Sequence, residues 1–152
     1  MAIIVFMDGV MRSPTSKVPI FEGISLYKSL NVNGIVALAC DDQEEATRWC
    51  KEHKLTDVDS FISNKTVGEY PDKDLLKVKH QQTSAPIHLV ITADVDFATT
   101  LLENGFKTLL FLHPIYLNAK FRPDGRDGRK SWDELVGELD RQVDLMKDDN
   151  RV

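Results

Sequence analysis

The sequence predicts an α/β protein of three layers, with a central parallel sheet of about five strands and helices on both faces. Three observations carry this expectation. Ala2 to Phe6 is an unbroken apolar run that extends through Met7, as suits a strand covered on both faces. Further apolar runs follow at Ile35 to Cys40, Ile87 to Thr92 and Lys107 to Leu112, with helical stretches between them. Strand and helix therefore alternate, and short right-handed connections make a single parallel sheet the simplest architecture.

The first strand leads into Asp8-Gly9, and Arg12 to Pro19 reads as a polar loop. Ile20, Ile24, Tyr27 and Leu30 recur at helical spacing and predict a helix over Phe21 to Leu30, with Gly23 weakening its first turn. Gly34 introduces the second strand, Ile35 to Cys40. Asp42-Gln43-Glu44-Glu45 has the spacing of a capped helix start, with Glu45 reaching back, and Ala46, Trp49, Cys50 and His53 give that helix an inward face. Ser60 to Ile62 is a short strand at or near a sheet edge.

A loop through Gly68 and Pro71 precedes a helix over Asp72 to Gln82 that carries Leu75, Leu76 and Val78. Pro86 introduces the fourth strand, Ile87 to Thr92, with Asp94 and Asp96 at its carboxyl end. Phe97 to Asn104 is the next helix, closed by Gly105, where a left-handed conformation is cheapest. After the fifth strand, His113 to Lys130 reads as a loop. Ser131-Trp132-Asp133-Glu134 then forms a capping box for a last helix, with Trp132, Leu135, Leu139, Val143 and Met146 as its stripe. The tail from 147 to 152 is expected to fray.

With 152 residues the chain suits one domain over 1–152. A net charge of -5 argues against a broad nucleic-acid surface, and the one basic run, Arg122 to Lys130, also holds Asp124 and Asp127. No apolar run approaches the roughly 20 residues that span a bilayer. Asp8 and Arg12 interrupt the N-terminal run, and no basic region precedes it, so it does not read as a signal peptide. Cys40 and Cys50 read as reduced core thiols. An intracellular, cytoplasmic protein is expected, without nucleic-acid or membrane partners; monomer and homodimer both stay open.

Carboxylates follow three of the strands: Asp8, then Asp41 and Asp42, then Asp94 and Asp96. Converging at one sheet edge they suit a hard cation such as Mg²⁺, although Asp42 and Asp94 also stand where helix N-caps belong. Cys40 is the alternative nucleophile at a strand end, but no nearby His accompanies it and a structural thiol is the plainer reading. His53, His80, His88 and His113 show no metal-ligand spacing.

VFMDGVM at the first strand, GIVALAC at the second and VITADVDFATTLLENGFKTLLF from the fourth to the fifth together resemble the haloacid-dehalogenase-like (HAD) superfamily of phosphatases and related hydrolases. The resemblance covers about Ile3 to Leu112 and implies a Rossmann-like doubly wound sheet. In that family the first strand ends in Asp-x-Asp-Gly, the first Asp being the nucleophile and the second the general acid/base. A Ser or Thr, a Lys and later acidic residues complete a site around Mg²⁺.

Carried across by position, Asp8 falls at the acid/base Asp and Phe6 at the nucleophile. Ala39 or Cys40 falls at the hydroxyl position. Lys73 falls at the lysine, with Lys65 and Lys77 as competitors. Asp94 resembles the metal-binding Asp and Asp96 its neighbour, so the implied metal set is Asp8, Asp94 and Asp96. Phe6 has no atom able to attack phosphorus. The short Arg12 to Pro19 segment leaves no room for a cap domain.

The resemblance thus implies a small capless member with a degenerate site, a phosphatase-like pseudoenzyme with a binding or regulatory role. It would use no cofactor or hold Mg²⁺ weakly, and its partner would be an unidentified protein. The alternative is a divergent Mg²⁺-dependent phosphohydrolase using Asp8 and Asp94. His113-Pro114 and Tyr116 are the surface features most open to reuse, or else part of a loop packing the last helix.

Overall fold

In the computed structural model, which describes residues 2–113 and Arg141, β1 (Ala2–Phe6), β2 (Ile35–Ala39), β3 (Ser60–Ile62), β4 (Ile87–Thr92) and β5 (Thr108–Leu110) form one sheet. All pairings are parallel, in the order β3-β2-β1-β4-β5. The helices are α1 (Met7–Val10), α2 (Phe21–Asn33), α3 (Gln43–Glu52), α4 (Asn64–Val67), α5 (Lys73–Ser84) and α6 (Val95–Glu103).

The apolar run of β1 is explained by its central place. On one face Val5, Val36, Leu38 and Ile91 pack under Tyr27 of α2 and Trp49 of α3. On the other, Ile4, Phe6, Ala37 and Val90 pack with Val78 of α5 and Leu101 of α6. Successive side chains of a strand point to opposite faces, so a strand buried on both sides must be apolar throughout. The fold is the expected three-layer α/β, Rossmann-like architecture. Phe6 pairs with Ala39, and Val5 with Ile91, which brings the carboxyl ends of β1, β2 and β4 to one rim. There the chain departs to β2 on one side and β4 on the other, the switch point where open α/β sheets hold their clefts.

Where the boundaries differ from the sequence expectation, a hydrogen bond decides. Helix α6 begins at Val95 rather than Phe97, because Asp94 caps it by accepting from the backbone N–H groups of Asp96 and Phe97. Asp42 caps α3 by accepting from Glu44 N; Glu45 is not the return partner of a capping box, since its carboxylate accepts from Arg12 instead. Helix α2 continues past Leu30 to Asn33, and β5 is shorter than Lys107 to Leu112. The single turn α4, Asn-Lys-Thr-Val, is too short to show apolar periodicity in the sequence. Gly105 follows the end of α6 with φ +83°, as expected of its position.

The loop expected after His113, Pro114 and Tyr116 included, the last helix and the frayed tail lie outside the described residues, except that Arg141 is helical and exposed. Among the described residues no helix is long and apolar enough to cross a membrane.

Candidate functional site

A cleft of about 250 Å³ opens at the carboxyl ends of β1, β2 and β4. Its floor is Phe6, Ala39 and Thr92, the last residues of those strands. Asp8 and Pro14 flank it from the loop after β1, Cys40 and Asp41 from the turn after β2, and Lys73, Asp74 and Lys77 from α5; Asp94 and Phe97 close the far side. Phe6 is 9% exposed. Its ring meets that of Phe97 edge to face, with centroids 4.8 Å apart. The strand that delivers the chain to the cleft therefore ends in a hydrocarbon contact, and not in a reactive atom.

Asp8 sits on a turn the sequence builds locally. Helix α1 is broken at Asp8 and at Gly9, whose φ is +96°. The N–H of Gly9 then donates to Arg12 O at 2.8 Å, and Arg12 bridges to Pro19, folding the loop back on itself. This places Arg12 inside the protein, 1% exposed. Its Nε donates to Asp8 Oδ1 at 2.7 Å and its Nη1 to Glu45 Oε1 at 2.9 Å. The guanidinium carbon lies 5.5 Å from the centre of the Trp49 ring. Lys17 Nζ donates to the same Asp8 Oδ1 at 3.1 Å, and Trp49 Nε1 donates to Lys17 O at 2.9 Å. Burial works to lower the Arg12 pKa, but the charges and hydrogen bonds of Asp8 and Glu45 outweigh it and raise the value above the ordinary one.

Lys73 and Lys77, one helical turn apart on α5, reach the cleft side by side. Lys77 is 1% exposed, with its ammonium 3.1 Å from Asp74 Oδ1 and 3.7 Å from Asp41 Oδ1. Lys73 stands 3.8 Å from both Asp41 and Glu69. Lys65 lies away from this cleft, lining a separate depression with Asp42 and Lys51.

The Cys40 thiol is pushed up to about 12, chiefly by burial and only partly offset by Lys77 and Arg12. Cys50, also buried, is pushed up to about 11. Both are free, and both are protonated at neutral pH, so neither is a ready nucleophile. In the native protein both are expected to resist a thiol reagent such as DTNB at pH 8 and to react at once on unfolding in urea. Fast native labelling of either would contradict the burial. Because their folded-state pKa values are raised, they contribute stability that is complete below the ordinary thiol pKa. That contribution is lost as pH rises from there towards 11 to 12.

Of the expected metal set, Asp8 and Asp94 line the cleft while Asp96 does not; its side chain is exposed on the first turn of α6. Asp94 Oδ1 is engaged in capping α6, at 3.0 Å from Asp96 N and 3.4 Å from Phe97 N. Asp8 Oδ1 already receives two cationic donors. Among the described residues no group of three or more His, Cys, Asp or Glu is placed to hold a metal ion. These residues do not fit a divalent cation such as Mg²⁺.

His53 stacks on Trp49 with centroids 4.3 Å apart, and His88 is exposed on β4. Nothing in the sequence marks Arg12, Lys17 or Thr92 as a site residue on its own. Asp8 and Arg12 stand four positions apart as an acid and a base, but nothing local joins either of them to Glu45.

Fold and site together define a three-layer α/β, Rossmann-like protein with a charged cleft at the switch point of its sheet. No family model matches the chain, and no curated protein and no solved structure matches it either.

Proposed function

We propose that the chain is a catalytically inactive, capless HAD-like protein of the cytoplasm that acts by binding a protein partner in a regulatory role. The observation that carries this reading is Phe6. At the position where the resemblance calls for a nucleophilic Asp stands a buried ring packed on Phe97. Ala39 offers no hydroxyl, and burial keeps Cys40 protonated. Asp8, at the acid/base position, is bonded to Arg12 and Lys17. A proton donor without an attacking partner leaves at best slow water attack. The open cleft, with only a short loop between β1 and α2, suits contact with a macromolecule.

The test is turnover of p-nitrophenyl phosphate, nucleotides and sugar phosphates with Mg²⁺ present. The expected result is no rate above that of a control carrying Phe6→Ala and Asp8→Asn. A robust rate that disappears with Asp8→Asn would sink this reading in favour of a divergent phosphohydrolase. That second reading has one observation behind it, that Asp8 and Asp94 line the same cleft.

A further inference from the structure

We propose that the apolar groove between α2 and the edge strand β5 is the seat of the chain's own segment 131–146. The sheet is covered unevenly. Helices α2 and α3 link β1 to β2 and β2 to β3, so they cover that half of one face. The two long helices that follow, α5 and α6, pack on the opposite face. Among the described residues, no helix longer than the turn α1 is left to lie over β4 and β5 on the α2 side. Parallel sheets bury both faces. Two strands spaced about 4.8 Å apart leave a bare strip about one helix wide.

The side chains of that strip are those of an unfinished core. Leu109 of β5 is 42% exposed. Its register partner Ile91 is buried under α2 and α3, which puts Leu109 on the same side of the sheet. Ile3, Leu89 and Phe111 on that side are only partly buried, as are Leu26 and Leu30 of α2. Glu22, one helical turn before Leu26, stands 3.3 Å from His113 just after β5, so this flank of α2 faces the groove. None of these residues lines the charged cleft.

The chain itself supplies an occupant of the right size and chemistry. It leaves β5 at the rim of this groove and continues from residue 114 to 152. In that stretch Trp132, Leu135, Leu139, Val143 and Met146 recur at helical spacing. A helix over 131–146 would run about 24 Å, against about 20 Å for the six residues of β4. Arg141, which falls on the side of that helix away from the apolar stripe, is helical and exposed. Seating the stripe on β4 and β5 gives the α2 side of the sheet its third helix and closes the core over Leu109.

The test is hydrogen–deuterium exchange of the full chain, read by mass spectrometry on peptides covering 131–146. Slow exchange is expected in the native protein, independent of its concentration. Leu109→Glu is expected to speed that exchange at least about tenfold while β1 and β2 stay protected. Leu102→Glu makes the same change on α6, across the sheet, at a leucine 49% exposed, and should leave 131–146 unchanged. Fast exchange in the native protein, no response to Leu109→Glu, or an equal response to both variants would overturn the proposal. Protection that grows with concentration would overturn it in favour of a second copy on this face. If Leu109→Glu does not fold, a cross-link decides, since the native thiols Cys40 and Cys50 are buried. A short bismaleimide should join Leu109→Cys to Leu139→Cys within one chain, and faster than it joins Leu109→Cys to Arg141→Cys. No joining, joining between chains, or equal rates would overturn the proposal.

Discussion

Replacing Phe6 by Asp is expected to destabilise the protein by about 3–5 kcal/mol at neutral pH, the range for truncating a buried Phe. Phe6 packs among Ile4, Ala39, Val90 and Leu101 and against the edge of Phe97, so the substitution empties the floor of the cleft as well as adding a charge. The new carboxylate would stand near Asp8, and both its burial and that like charge raise its pKa in the folded state. In the unfolded chain it ionises near the ordinary value, about 3.9.

The sign follows from which state holds the proton. A group whose folded-state pKa is raised contributes stability below its unfolded pKa and loses it as pH rises through the folded value. Thermal melts should therefore show the larger deficit at pH 8 and a smaller one near pH 4.5. A fall of roughly 10 °C in Tm is expected at the higher pH. Restoring the Asp-x-Asp spacing should recover little stability on addition of Mg²⁺, because Arg12 and Lys17 still occupy Asp8. An unchanged Tm would mean that the Phe6 ring is not part of the core.

Gly23→Ala is expected to destabilise by about 3 kcal/mol or more, the upper end for forcing atoms into a packed interior. The usual expectation has the opposite sign, since alanine in place of a helix-interior glycine stabilises by roughly 0.5–1 kcal/mol. Here the first turn of α2 lies directly on the chain after β1. A Cβ at Gly23 would stand 1.7 Å from the carbonyl oxygen of Val10 and 2.6 Å from its carbon. Both obstacles are backbone atoms and cannot rotate away, so α2 or the turn carrying Asp8 must move. Urea denaturation of Gly23→Ala measures the loss. Ser25→Ala, at an exposed position of the same helix, should stay within about 0.5 kcal/mol of the native protein. A stabilised Gly23→Ala would show that α2 does not approach Val10 so closely.

The same glycine shows where sequence reading stops. Read locally, Gly23 is only a weak helix former. Its reason for being there is a contact with Val10, which belongs to the other side of the loop. The strands were legible because burial on both faces demands unbroken apolar runs, and Ile87–Thr92 carries its own boundaries in Pro86 and Asp94. The rim of the cleft was legible too, because a parallel sheet must bring the residues after β1, β2 and β4 to one edge.

What tertiary structure alone decided was the pairing of charges. Arg12 looks in sequence like a polar loop residue that interrupts an apolar run. Its partner Glu45 lies 33 positions away and looks like half of a helix cap. Lys73 and Lys77 both fall near the lysine position that the resemblance implies, and only packing shows Lys77 to be the buried one. Asp96 stands two residues from Asp94 in sequence, yet the first turn of α6 carries its side chain away from the cleft that Asp94 lines. Periodicity and caps report what a residue does within its own element. Which cation meets which carboxylate depends on how the crossovers set one element beside another, and no local pattern of residues encodes that.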